Sequence, residues 1–169
     1  MAAAVDSSYL RAMKGGAKTG PSPVDRGKTG SKHHVIVEVH GIPLAATLTG
    51  GNRNDVTRLI PLVQAVPPIR GKRGRPRRRP DVVYADRGYG HEEYRGQVRD
   101  SGIRPEIARR GTEHGCGLGV YRWVVEAAFA LPHWFRRLRV RWEIRDEIHE
   151  AFPTLGCAIV CWRRLRKSL

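Results

Sequence analysis

Cysteine is scarce in this chain, with three in 169 residues: Cys116, Cys157 and Cys161. Three thiols exclude a disulfide-stapled scaffold, and no charged start followed by a long apolar run opens the sequence, so a reducing compartment is expected. Long hydrophobic runs are missing too. The longest, Ala151 to Trp162, is interrupted by Pro153 and falls well short of the roughly 20 residues that cross a bilayer, which excludes a membrane-spanning helix. Cys157 and Cys161 stack on one helix face without a His or Cys pair at zinc spacing, so they are expected to be small core residues. Carboxylates are few: Asp plus Glu is 16 against 31 for Lys plus Arg, a formal net charge of +15. With a sequence pI near 10.8, that imbalance points to a polyanionic partner, and nucleic acid is the commonest one. Hydrophobic residues at 40% exclude a purely disordered basic tail, and the length suits one domain with a real core.

Hydrophobic periodicity gives the element order. A short apolar run, Ala2-Ala3-Ala4-Val5, reads as a strand ending at Asp6. The glycine-rich, lysine-bearing segment 14–33 reads as a basic loop. Val35, Val37 and Val39, the turn His40-Gly41 and then Pro43 to Leu48 predict a β-hairpin. Asp55 is the expected N-cap of a helix carrying Val56, Leu59, Ile60 and Val63, stopped by Pro67-Pro68. Segment 67–81 is a second basic loop, since residues 70–79 (RGKRGRPRRR) hold seven cations in ten and nothing apolar. Val82 to Ala85 reads as a buried strand ending at Asp86, His91 to Ser101 as a polar helix closed by Gly102, and Arg104 to Ala108 as another strand. A largely apolar helix is expected over Arg122 to Arg139, kinked or ended by Pro132, and a last helix over Asp146 to Arg166. Leading strands followed by alternating helix and strand predict an α/β fold with a mixed sheet flanked by helices.

Three carboxylates stand out by position. Asp6 and Asp86 fall at the carboxyl ends of expected strands, where functional groups of open α/β sheets gather. Glu126 lies in the apolar run VVEAAFAL, where burial demands a positive partner, either Arg122 one turn earlier or a divalent ion. Three hard oxygen donors with no thiolate or histidine cluster favour Mg²⁺ or Mn²⁺, and two such ions roughly 4 Å apart suit phosphodiester chemistry. Each residue also has a plainer reading: a turn cap at Asp6, a surface pair of Asp86 with Arg87, and a simple Arg122–Glu126 pair.

The segments VDSSYLRAMKGGAKTGPSPVDRGKTGSKHHVIV, LTGGNRNDV, PIRGKRGRPRRRPDVVYADRGY, IARRG and RWVVEAAFALPHWFRRLRVRWE, in that order, resemble the catalytic domain of bacterial insertion-sequence transposases of the DDE class, in the insertion-sequence-five group. The resemblance runs from about Val5 to Arg164. It implies an RNase H-like fold, with the first aspartate matching Asp6, the second Asp86, and the glutamate of an Arg-x-x-x-Glu pattern matching Glu126 after Arg122. It further implies that these three bind two Mg²⁺ (or Mn²⁺) ions, while water and then a DNA 3′-hydroxyl act as nucleophiles for end cleavage and strand transfer. Double-stranded DNA, as element ends and target, is the implied partner, with at least two protomers bridging two ends, in a bacterial cytoplasm at the nucleoid.

The chain departs from its relatives at Ala127 and Ala128, where an Arg and a Thr usually follow the glutamate, and at Leu131-Pro132-His133, where many have Trp-Leu-His. The family also carries an N-terminal helical DNA-binding region of roughly 100 residues before the first catalytic strand. Its absence here implies either an upstream-frame partner joined by frameshifting or a truncated, catalytically inactive remnant that only binds DNA non-specifically. Expected DNA contacts are Lys14, Lys32, Arg73, Arg75, Arg77, Arg78, Arg79, Arg87 and Arg122. Within them Arg73-Gly74-Arg75-Pro76 is similar to an AT-hook core, which lies in a narrow A·T minor groove.

Overall fold

A computed structural model describes residues 1–70, 74–109, 123, 126 and 135–168. Strand β1 (Ala2–Ala12) is the centre of a mixed sheet. Strand β3 (Thr29–Glu38) runs antiparallel beside it, from Ala3 opposite Glu38 to Arg11 opposite Gly30. Strand β4 (Pro43–Gly50) pairs antiparallel with β3, with a register shift between Ile36 and Val37. On the other flank β5 (Val82–Ala85) runs parallel to the first part of β1, and β6 (Arg104–Ile107) runs parallel to β5. Two short strands complete the sheet: β2 (Gly20–Pro21) on β3, and β7 (Val140–Arg141) on the far end of β1.

Alternation along the strands divides the core between two faces. Ala3, Val5, Ile36, Val83 and Ala85 share one cluster with Val56, Leu59, Leu62 and Val63, from a 3-10 turn (Asp55–Arg58) and helix α1 (Leu59–Gln64). Val98 of helix α2 (Glu92–Asp100) joins them. Each such Val or Leu contributes roughly 1.5–3 kcal/mol on burial, so this layer fixes where the strands end. Helix α3 (Arg136–Arg139) packs against β1 and against helix α4 (Asp146–Ser168), which also lies on β4. The architecture is therefore the mixed α/β layering that the sequence predicts.

Buried polar groups hold the far end of the sheet. The fully buried Arg141 donates from Nε to the Glu143 carbonyl (2.8 Å), from Nη1 to Ser31 Oγ (2.9 Å) and the Lys18 carbonyl (3.3 Å), and from Nη2 to the Ile144 carbonyl (3.0 Å). Gly16 is required beside it: its φ is +108°, and a Cβ there would sit 2.0 Å from the Ile144 carbonyl oxygen. His149 donates from Nδ1 to Glu143 Oε2 (2.9 Å), which leaves its Nε2 to accept from His33 Nε2 (3.0 Å).

Several local expectations need correction. Strand β1 does not stop at Asp6: antiparallel pairing with β3 carries it on to Ala12, although its parallel pairing with β5 ends at Val5. Loop 14–33 is shorter than expected, because β3 begins at Thr29 and β2 interrupts the remainder. Asn54, not Asp55, is the N-cap; its side chain accepts from the Val56 amide, and a 3-10 turn precedes α1. Helix α1 ends at Gln64, ahead of the proline pair. Loop 67–81 carries one bridge, between Ile69 and Arg77. Phe135 has an extended backbone (φ −85°, ψ 115°), so α3 starts afresh and no single helix runs through to Arg139. Trp123 is 63% exposed and Glu126 is exposed, against the expectation of a buried helix. Cys157 and Cys161 are half-buried rather than core, and burial pushes the Cys157 thiol up to about 11. Cys116, Ala127, Ala128 and Pro132 lie outside the described residues.

Candidate active site

Val5 of β1 and Ala85 of β5 are the last partners in their parallel ladder, and the next residues are Asp6 and Asp86. Neighbouring strands lie about 4.8 Å apart, so the two aspartates occupy adjacent positions where that ladder ends, Asp6 still within β1 and Asp86 just beyond β5. In open α/β sheets functional groups gather at the carboxyl ends of parallel strands.

Local chemistry fixes each aspartate. β5 stops at Ala85 because Asp86 turns the chain: its Oδ1 accepts the Gly88 amide at 2.9 Å and caps the 3-10 turn Arg87–Tyr89. A side chain at position 88 would crowd that carboxylate, since a Cβ there would lie 3.0 Å from Oδ1. Asp86 is exposed, while Asp6 is half-buried and accepts the Ser7 amide on Oδ1 at 2.7 Å. A cap therefore holds the second aspartate, and a continuous strand holds the first.

Behind this strand end lies a polar group that sequence reasoning missed. Tyr89 is 1% exposed and packs in the same cluster as Val5 and Ala85, the residues just before the two aspartates. Burial pushes its phenol well above the usual tyrosine range, and the charges of Asp55, Asp6 and Asp86 push the same way. The Ser7 side chain acts in the opposite sense. Asp55 is held by Lys32, whose Nζ donates to its Oδ1 (2.9 Å) and to the Arg53 carbonyl (2.9 Å). His34, fully buried, pairs through Nε2 with Thr49 Oγ1 (2.7 Å). Burial lowers its pKa to about 4, with Lys32 and Arg58 acting in the same direction and Asp55 against it.

Glu126 is helical and exposed, and Arg122 lies outside the described residues, as does Arg73. Among the described residues no three His, Cys, Asp or Glu side chains form a ready metal cluster, so the fold brings Asp6 and Asp86 together without joining Glu126 to them. The donor set of the pair is nonetheless what a hard divalent cation prefers: carboxylate oxygens at a strand end, with no thiolate or imidazole between them.

The expected DNA contacts separate by environment. Lys14, Arg75 and Arg78 are exposed with no ion pair among the described residues. Arg77 is also exposed but pairs with Asp81 (3.1 Å), and Arg79 donates to the Ser101 carbonyl. Arg87 is half-buried. Lys32 is turned inward, its ammonium committed to Asp55.

No helix among the described residues is long and apolar enough to cross a membrane. The sequence profile of the family described as "Transposase DDE domain" matches residues 2–161. A protein of Burkholderia cepacia described as "Putative transposase for insertion sequence element IS402" is 60% identical over 154 residues, covering 91% of this chain and 73% of that relative. With a family match over nearly its full length and an RNase H-like mixed sheet beneath it, the chain belongs to the DDE transposases of insertion sequences.

Proposed function

We propose that this chain is the catalytic domain of a divalent-cation-dependent DDE transposase, hydrolysing DNA at element ends and joining the freed 3′-hydroxyl to target DNA. Family membership supports DNA transposition as the process and DNA as the partner. One observation supports the finer reading: Asp6 and Asp86 directly follow the last parallel pair, Val5 and Ala85, so both carboxylates stand where that parallel ladder ends.

Asp6 and Asp86, with Glu126 from its helical segment, are the residues that would hold Mg²⁺ or Mn²⁺, as one ion or two. Bound there, the cation supplies Lewis-acid activation of an attacking oxygen and neutralises charge on the leaving one. The protein's own part is to hold the two aspartates in place, Asp86 through its cap and Asp6 through the continuous β1–β3 pairing. Exposed Arg75 and Arg78 in the 67–81 loop supply phosphate contacts that carry no sequence information. Two or more copies then bridge two element ends.

The test is a nicking and strand-transfer assay on element-end DNA with Mg²⁺ or Mn²⁺, comparing the parent with Asp86→Asn. Metal-dependent cleavage by the parent and none by the variant supports the reading. Equal cleavage by both, or by neither, overturns it.

A further inference from the structure

Helix α4 runs unbroken from Asp146 to Ser168, with Pro153 inside it, and carries two apolar faces. One is docked: His149, Pro153, Gly156 and Val160 are buried where the helix lies against β4 and α3. The other is open. Ile148, Ala151, Leu155, Ala158 and Trp162 are all exposed, Leu155 by 58% and Trp162 by 62%. They follow one another at intervals of 3, 4, 3 and 4 residues, and Leu165 continues the series. This is the a and d pattern of a helix seam, kept for about two and a half heptads. A helix needs one apolar stripe to meet its own core, and the docked residues supply it. The second stripe lies on the opposite side of the helix, and a contiguous row of exposed apolar residues marks an interaction surface.

Charge along the helix selects the occupant. Its first turns carry Asp146, Glu147 and Glu150; its last turns carry Arg163, Arg164 and Arg166, all exposed and in no ion pair among the described residues. A second copy of α4 laid antiparallel brings the acidic end of each helix level with the basic end of the other, about a two-fold axis. A parallel copy would set arginines against arginines. Side-chain size agrees with the antiparallel choice. The register that places Ala151 opposite Trp162 of the second copy also places Leu155 opposite Ala158, so large residues meet small ones. A shallow groove of about 470 Å³, bounded by Glu147, Ala151, Leu155 and Ala158, gives that Trp162 room.

We propose that the exposed face of α4 is a self-association surface, through which two copies of this chain pair by antiparallel α4 helices along Ile148, Ala151, Leu155, Ala158 and Trp162. The pairing goes beyond the catalytic reading and stands whether or not Asp6 and Asp86 hold a cation. From Ile148 to Leu165 the stripe is about 26 Å long, which makes a small interface and a reversible dimer.

The experiment is sedimentation equilibrium over a wide concentration range on the full chain freed of nucleic acid, with thermal melting measured at a dilution where the parent is monomeric. The parent should pass from monomer to dimer as concentration rises, and added NaCl should weaken the dimer. Leu155→Glu and Ala158→Glu, at exposed positions, should each weaken it about tenfold or more without lowering the melting temperature. Reversing Arg163, Arg164 and Arg166 together to Glu should weaken it as much, because each basic end then repels the acidic turns it faced. A parent that stays monomeric throughout overturns the proposal. So does a dimer indifferent to both seam variants, which would place the interface elsewhere, or a loss of association that comes only with a lowered melting temperature. A dimer that the charge reversal leaves intact or strengthens would mean parallel helices, and the antiparallel pairing falls.

Discussion

Asp86 does two separable things, and Asn and Ala substitutions pull them apart. Its Oδ1 caps the Arg87–Tyr89 turn through the Gly88 amide at 2.9 Å, and its charge faces that of Asp6 across the strand end. Asparagine keeps the acceptor and removes the charge; alanine removes both. A cap of this kind is worth about 1 kcal/mol. Two like charges at neighbouring strand positions, in a setting close to water, repel by about 1 kcal/mol. In divalent-free, low-salt buffer, urea unfolding followed by tryptophan fluorescence should therefore place Asp86→Asn about 1 kcal/mol above the parent and Asp86→Ala close to it. At about 1 M NaCl the Debye length falls to about 3 Å, so the advantage of Asn over the parent should shrink while the Asn-to-Ala gap stays. Millimolar Mg²⁺ should stabilise the parent and leave Asp86→Asn unmoved, since a cation that binds only the folded site adds its binding free energy to stability. An Asn variant no more stable than the Ala variant would refute the cap. A Mg²⁺ response of equal size in parent and Asn variant would remove the cation from this strand end.

Three further outcomes follow from other parts of the molecule. Replacing Arg75 and Arg78 by Ala should flatten the slope of log K against log salt for DNA binding by about 2, whereas replacing Arg77 and Arg79, already engaged with Asp81 and Ser101, should change it less; filter binding across a salt series decides. His34 has a folded pKa of about 4 against 6.5 for the free side chain, so below pH 6.5 the unfolded chain binds the extra proton. Stability should fall as pH drops from 6.5 to 4, by up to about 3 kcal/mol from this residue, and His34→Gln should remove that part of the slope in urea titrations. Arg141→Met should cost about 3 kcal/mol or more by the same measurement, because the carbonyls of Lys18, Glu143 and Ile144 and the Ser31 hydroxyl lose a buried donor together.

What was legible in the sequence was whatever depended on local pattern. Val35 to Leu48 alternates around a His40-Gly41 turn, and the hairpin forms there. Val82 to Ala85 is an apolar run closed by a capping aspartate, and the strand ends where the cap begins. Non-local pairing was not legible. Residues Ser7 to Ala12 carry no strong strand signal, yet β3 holds them extended. β2 and β7 are two residues each and exist only because β3 and β1 offer them edges. Glu126 looked buried because its neighbours in sequence are apolar, yet it is exposed, as is Trp123 three residues earlier. Asp55 looked like a helix cap for the same reason, whereas its partner Lys32 comes from a strand 23 residues earlier. Tyr89 gave no signal, since an aromatic after a glycine turn reads as core, and it is buried in the core.

The contrast between the two flanks of β1 explains how the fold yields an acidic site in a strongly basic chain. On the β3 side, pairing continues past Asp6 and holds the strand rigid; on the β5 side, pairing stops at Ala85 and the chain turns away. Asp6 thus stands within a strand that β3 continues to pair, next to the point where β5 stops and Asp86 turns the chain. Two basic side chains of the sheet region are committed elsewhere: Lys32 to Asp55, and Lys18 to Asp146 and Glu150. Unpaired cations such as Arg75 and Arg78 stand instead on an exposed loop. In the proposed function, phosphates of a polyanion drawn to the loop would be repelled by the two aspartates, and a divalent cation held between them would reverse that repulsion. On the proposed reading, removing the cation should therefore spare DNA binding by the loop and weaken only its close approach to Asp6 and Asp86.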